Sequence, residues 1–187
     1  MSKNLEIECK SMLTKADYLS LLKTNKYPSY EQNNFYIDDE EFSLIKMKSG
    51  LRIRFKNNEY ELTLKVKRGV ARLEINQMIS TQQFDNFINK NIFPKGEVED
   101  EIISLGIKIE TLKMFGSLST TRTDIFYHDS LISIDKNTYL GKTDYEIECE
   151  SNSMDLARKN LQQFLLENNI KFVENKINKI QRVINSL

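Results

Sequence analysis

Charged and apolar residues alternate along several short stretches of this chain, and the charges are sorted by sign. Leu5 to Lys10 reads Leu-Glu-Ile-Glu-Cys-Lys, and Tyr145 to Glu150 reads Tyr-Glu-Ile-Glu-Cys-Glu, close to a copy. Between them, Arg52, Arg54 and Lys56 alternate with Leu51, Ile53 and Phe55; Lys65 and Lys67 alternate with Leu64 and Val66; Arg72 and Glu74 alternate with Leu73 and Ile75. Arg122 stands in Ser-Thr-Thr-Arg-Thr-Asp, and Asp135 alternates with Ile134. Carboxylates two residues apart on a strand converge on one point, and hard divalent cations such as Mg2+ and Mn2+ favour that oxygen chemistry. Rows of arginine and lysine suit an extended polyanion, because guanidinium forks grip phosphate oxygens in pairs. A metal with a cationic clamp is the equipment of phosphoryl transfer. The chain has no Gly-rich phosphate loop, so side chains must do the binding.

Positioning these groups calls for strands. Successive strand side chains point to opposite faces, so each stretch presents one apolar and one charged face. A single charged strand is ordinarily the solvated side of an antiparallel sheet. The conjunction of acid-rich and base-rich strands favours a shared polar interior, in which the charges must be paired or bound to ions and ligand. Strands are predicted at 5–10, 31–38, 51–56, 60–67, 70–79, within 107–127, and at 130–137 and 145–150, with turns at Asn57-Asn58, Arg68-Gly69 and Gly141. Imperfect alternation predicts an interruption or bulge in the stretch 107–127. Helical spacing predicts a helix capped by Thr14 and Asp17, one capped by Ser80 or Thr81, a short one over 98–105 stopped by Gly106, one from Ser153 to about Asn168, and a last one over 174–184. A sheet of about eight strands tends to curl or close, and amphipathic helices can cover its apolar face. The expected class is therefore α+β, a closed eight-stranded antiparallel β-barrel with helices outside. One domain spans 1–187, with the barrel over 3–150 and C-terminal helices over 153–185.

Composition narrows the function. The 27 basic and 27 acidic residues cancel, which argues against a general nucleic-acid binder or a basic membrane-surface protein. No apolar run is long enough to span a bilayer, and the charges at Lys3, Glu6 and Glu8 do not fit a secretory signal, so a cytoplasmic location is expected. Cys9 and Cys149, without ligand-spaced Cys or His partners, read as reduced core thiols. His128 reads as a surface residue, Ser119 to Thr121 as sheet surface, and Tyr36 either as interior-facing or as strand packing. Lys179 and Arg182 read as part of a solvated helix face, with closure of one mouth of the polar interior as the alternative.

On these residues the chain resembles the CYTH domain family, the triphosphate tunnel metalloenzymes. Glu6-Ile7-Glu8-Cys9-Lys10 is similar to the family's first-strand signature, and Arg52, Arg54, Lys65, Lys67, Arg72, Glu74, Arg122, Asp135 and the run Glu146 to Glu150 match later positions in order. The resemblance implies a tunnel that holds a divalent metal and a triphosphate. It assigns Glu6 and Glu8 to metal and catalysis, and Glu74, Asp135 and two of Glu146, Glu148 and Glu150 to the metal. It assigns Lys10 to orienting water or contacting phosphate, and Arg52, Arg54, Lys65, Lys67, Arg72 and Arg122 to phosphate, although Arg72 could pair with Glu74 or Glu61 instead. The family includes thiamine triphosphatases, inorganic triphosphatases and class IV adenylate cyclases. A Mg2+- or Mn2+-dependent triphosphatase acting on inorganic triphosphate or another small triphosphate is the expected function. The alternatives are an adenylate cyclase and a non-catalytic sensor of polyphosphate or nucleotide. A small-molecule triphosphate is the expected partner, with neither nucleic acid nor membrane.

Overall fold

The fold comes from a computed structural model that describes residues 2–68 and 71–187; the turn expected at Arg68-Gly69 and the side chains of Leu5 and Ala71 lie outside what it describes. In chain order the elements are β1 (Ser2–Glu6), β2 (Glu8–Leu13), α1 (Lys15–Thr24), β3 (Ser29–Asp38), α2 (Ser43–Lys46), β4 (Gly50–Lys56), β5 (Glu59–Arg68), β6 (Ala71–Ile79), α3 (Thr81–Lys90), α4 (Glu97–Ser104), β7 (Lys113–Tyr127), β8 (Ser130–Tyr139), β9 (Lys142–Glu150), α5 (Met154–Glu167) and α6 (Lys179–Ile184). The class is α+β, with strands paired antiparallel. The chain divides into two compact units, Met1–Leu5 with Asn33–Ser117, and Glu6–Gln32 with Leu118–Leu187.

In the first unit β3, β4, β5 and β6 are successive neighbours. Their apolar face carries Leu51, Ile53, Leu62, Leu64, Val66 and Ile75, and Leu44, Phe87, Val98 and Ile102 from the helices complete that core. The β4–β5 hairpin closes through Asn57 and Asn58 at φ 52° and 62°, left-handed positions that asparagine tolerates and a two-residue hairpin turn requires. In the second unit β7, β8, β9 and β2 are successive neighbours. Cys9, Ile125, Ile132, Ile134, Ile147 and Cys149 form its apolar face, covered by Tyr18 and Leu21 of α1 and by Ala157, Leu161, Phe164 and Leu165 of α5. Both cysteines are buried free thiols.

The expected caps are present. Thr14 and Asp17 form a reciprocal capping box on α1, Ser80 and Gln83 form one on α3, and Ser153 accepts from the Leu156 amide on α5. Gly106 follows α4 at φ 79°, the left-handed stop that glycine adopts without a Cβ clash.

The structure departs from expectation in four places. The first strand is broken at Ile7: β1 is a neighbour of β6, whereas β2 pairs with β9, so its halves belong to different units. β7 is unbroken over its length, contrary to the expected interruption. Its alternation fails because both faces are buried in part: Leu118 and Thr120 are covered on one face, and Thr123 and Ile125 on the other. The polar stretch after β3 contains α2, whose Leu44 and Ile45 amides donate to the buried Asp38 carboxylate. The last helix begins at Lys179 rather than at 174, because Glu174 bridges to Ser11 and Asn178 caps the Gln181 amide.

Candidate functional site

Strand register gathers the site. Paired residues on adjacent strands share a face, so the second unit presents its polar side as parallel rows. One row is Arg122, Asp135 and Glu146; the next is Asp124, Ser133, Glu148 and Lys10; beyond it come Phe126, Leu131, Glu150 and Glu8. Asp135 and Glu146 are fully buried and Glu148 is 7% exposed. One carboxylate oxygen from each of these three lies within 4.8 Å of the others.

Cations surround this cage. Arg122 donates from Nε to Asp135 Oδ1 at 2.7 Å, and from Nη2 to Asp135 Oδ2 and Glu148 Oε2, both at 2.6 Å. Lys10 Nζ lies 2.8 Å from both Glu8 Oε1 and Glu148 Oε1. Asn175 donates to Glu146 Oε2 at 2.9 Å, and Asn137 donates to Glu146 Oε1 at 3.2 Å. Burial alone would raise the Glu148 carboxyl, but Lys10, Lys179 and Arg122 outweigh it and hold it well below the ordinary value. Burial likewise opposes the charge on Asp135, which Arg122 and Lys179 hold low. Burial pulls Lys10 down, while Glu148, Glu8 and Glu146 raise it well above the usual lysine value. Lys10 is therefore an ammonium at neutral pH and donates to Glu148 Oε1.

Two of these cations were expected to meet solvent. Lys179 Nζ lies 2.9 Å from Asp135 Oδ2 and 2.7 Å from Glu148 Oε1, and it also pairs with Glu146 Oε1. Arg182 pairs with Glu146 Oε1 at 2.6 Å and with Asp144 Oδ1 at 2.8 Å. The solvated-face reading of α6 is thus corrected. Residues 173–175 run along β2, with Met12 donating to Val173 at 2.9 Å and Asn175 donating to Lys10 at 3.0 Å, which brings α6 onto the charged rows. The clue available beforehand was the three-residue spacing of Lys179 and Arg182, which places both on one side of a helix.

The remaining residues sort as follows. Glu146 and Glu148 belong to the cage, whereas Glu150 is exposed, in the row with the 85%-exposed Phe126. Glu8 joins through Lys10, and Glu6 is partly buried outside the three-carboxylate group. Glu74 lies in the first unit, ion-paired with Lys65, its partner across β5 and β6. Arg52, Arg54, Lys65 and Arg72 are partly buried on that unit's polar rows, and Lys67 is exposed. Arg54 donates to Asn34 at 3.1 Å. Arg72 faces Lys67 across the β5–β6 register. His128 is exposed in a turn at φ 49°. Tyr36 is buried, stacked on Phe115 and paired with Arg52 across β3 and β4, which puts it on the charged face and selects the interior-facing reading. Thr120 is buried and donates to Asn137 at 2.8 Å, so it is not sheet surface.

The cage consists of hard oxygen donors with no thiolate or imidazole among them, a set that fits Mg2+ or Mn2+ better than a softer metal. No helix among the described residues is long and apolar enough to cross a membrane.

Comparison with known proteins agrees with this donor chemistry. The CYTH domain family model matches residues 4–184. The chain is 36% identical over 185 residues to the Bacillus subtilis (strain 168) protein named "Putative triphosphatase YjbK", across 97% of this chain and 95% of that one. The crystal structure of a "putative adenylate cyclase" from Bacillus halodurans superposes with a TM-score of 0.91 at 37% identity, covering 97% of this chain and 98% of that one. A Hippeastrum protein, "putative adenylyl cyclase HpAC1", shares the fold at a TM-score of 0.80 and 19% identity, covering 96% and 95% of the two chains.

Proposed function

Because this chain belongs to the CYTH domain family, we propose that it is a divalent-metal-dependent triphosphatase, working as a single domain, that hydrolyses inorganic triphosphate or a similarly small triphosphate. The observation that carries this reading is the buried cage of Asp135, Glu146 and Glu148 in a chain that also presents base-rich strands. The name of the Bacillus subtilis relative supports it. Asp135, Glu146 and Glu148 would hold Mg2+ or Mn2+, with Glu8 on β2 and Glu6 at the end of β1 as further acidic groups. When bound, the ion supplies positive charge against phosphate oxygens.

The chain's own residues supply the rest. Arg52, Arg54, Lys65, Lys67 and Arg72 hold phosphate oxygens and offset the charge that develops as the anhydride P–O bond breaks. Lys10, kept protonated by Glu8 and Glu148, fixes both carboxylates and can donate to an attacking water or a phosphate oxygen, but it cannot take the water's proton in that state. Arg122 was expected to hold phosphate. Its donors to Asp135 and Glu148 make it a positioning residue for the cage in this reading.

A second reading rests on the Bacillus halodurans structure, named as an adenylate cyclase: ribose oxygen attacks the α-phosphorus of ATP and pyrophosphate leaves. One experiment separates the readings. Purified protein is incubated with tripolyphosphate, ATP or thiamine triphosphate, each with Mg2+, with Mn2+ and with EDTA, and the products are resolved. Orthophosphate from tripolyphosphate, lost with EDTA, is expected. Cyclic AMP with pyrophosphate from ATP selects the cyclase. Metal-dependent binding without any product rejects both in favour of a sensor.

A further inference from the structure

Building on the metal-dependent reading above, we propose that Lys179 is a tethered cation filling the carboxylate cage of the metal-free chain, and that a divalent ion enters by displacing it. The Lys179 ammonium meets one oxygen from each cage residue: Asp135 Oδ2 at 2.9 Å, Glu148 Oε1 at 2.7 Å, and Glu146 Oε1. One of its three N–H donors goes to Glu148 Oε1, and its charge is paired with Asp135 and Glu146 as well. These three residues are also the metal-capable group. An ion of the Mg2+ type binds carboxylate oxygens at about 2.1 Å. Bound to these oxygens, it would occupy the space the ammonium fills, and two cations a few ångströms apart in a buried site repel strongly. Occupancy is therefore exclusive.

The surroundings allow the exchange without dismantling the cage. Arg122 holds both Asp135 oxygens and Glu148 Oε2, while Asn175 holds Glu146 Oε2. Of those oxygens Lys179 shares only Asp135 Oδ2. Lys179 is the first residue of α6, and the helix is anchored further along by Arg182, on Glu146 and Asp144, and by the fully buried Val183. The long lysine side chain can therefore withdraw by rotation while α6 stays in place. The device keeps the buried carboxylates compensated when no metal is present, at the expense of apparent metal affinity, because only the lysine-free fraction can bind.

The test measures Mn2+ binding to wild type, Lys179→Gln and Glu148→Gln by calorimetry. It also measures labelling of Lys179 in wild type by an amine-reactive reagent, read by mass spectrometry with and without Mn2+. Tighter Mn2+ binding by Lys179→Gln, on the order of tenfold or more, and labelling of Lys179 only with Mn2+ present are the expected results. The labelling arm needs no variant, so it decides the matter even if Lys179→Gln folds poorly. Mn2+ binding that Glu148→Gln abolishes, with Lys179 shielded throughout and no gain in Lys179→Gln, overturns the displacement while leaving the metal site standing. Absence of Mn2+ binding to wild type overturns the metal-dependent reading and the displacement with it.

Discussion

The polar faces of the two units solve opposite electrostatic problems. In the second unit the acids lie on β8 and β9, and cations are brought to them from flanking strands, as Lys10 and Arg122, and from α6, as Lys179 and Arg182. Each cage carboxylate meets at least two cations, so that face is internally compensated. In the first unit the polar strand positions carry Arg52, Arg54, Lys56, Lys65, Lys67 and Arg72 against Glu61 and Glu74. Lys65 pairs directly with Glu74 there. Arg54 is held in part by the neutral Asn34, and the buried Nε of Arg52 has no hydrogen-bond partner. A compensated face is rigid and admits a new cation only by exchange, whereas a face with excess positive charge is suited to an anion that arrives from outside.

The largest effect should come from Glu148→Gln. It removes the negative charge shared by Lys10, Lys179 and Arg122 and one of the two acceptor oxygens, and leaves buried cations short of charge, a loss of about 3–5 kcal/mol by the usual cost of breaking a buried pair. Glu74→Gln in the first unit removes one acceptor for Lys65 and should cost about 1.5–3 kcal/mol, the range for a hydrogen bond to a charged group. Urea unfolding of both variants checks this. Equal losses would break the contrast between the faces.

Acid should act next, and on the second unit. Asp135 and Glu148 have folded-state pKa values below their ordinary values of 3.8 and 4.5, so the unfolded chain binds their protons more readily. Their contribution is present above those ordinary values and is lost as pH falls through the depressed ones. Lys10 and Lys179 are shifted above the ordinary 10.5, so their contribution is present at neutral pH and is lost only as pH rises through the folded-state values. Stability measured against pH should be flat through neutrality and fall at the acid end, and the acid limb should shrink in Asp135→Asn. An unchanged limb would show that the cage does not control it.

Arg52→Ala should sharpen the comparison from the other side. Its loss should leave stability within about 1 kcal/mol of wild type, since the Arg52 Nε makes no hydrogen bond among the described residues. It should raise the KM for tripolyphosphate about tenfold or more, the equivalent of one charge-assisted contact. A fall in kcat with KM unchanged would place Arg52 outside ground-state phosphate binding.

Much of this was legible from two-residue alternation. It placed Asp135, Glu146, Glu148 and Lys10 on polar strand faces, and cross-strand register then brought them together. Helical spacing foresaw the last helix, but not where its cations go, because the contacts of α6 with Glu146 and Glu148 span 31 residues or more. Alternation was blind to the break at Ile7, because the residues keep alternating while their partner strand changes from β6 to β9. Arg122 was assigned to phosphate by the family resemblance; alternation alone did not show that its direct register partner across β7 and β8 is Asp135, to which it donates.

The smallest effect is the one that tests how far alternation can be trusted. Glu146, Glu148 and Glu150 share one strand face, and their spacing leaves open whether Glu146 or Glu150 joins Glu148. Burial separates them: Glu146 is 0% exposed and Glu148 7%, whereas Glu150 is exposed, in the row of Phe126 and Leu131 where the face opens to solvent. Glu150→Gln should therefore change stability by no more than about 0.5 kcal/mol, as surface substitutions do, and leave Mn2+ affinity near wild type. Glu146→Gln should weaken Mn2+ binding in calorimetry by at least tenfold, or about 1.4 kcal/mol. Were Glu150→Gln to weaken it equally, the ion would sit one row nearer the open end of the face, beside Glu8. Lys179 would then lie next to the metal site rather than in it.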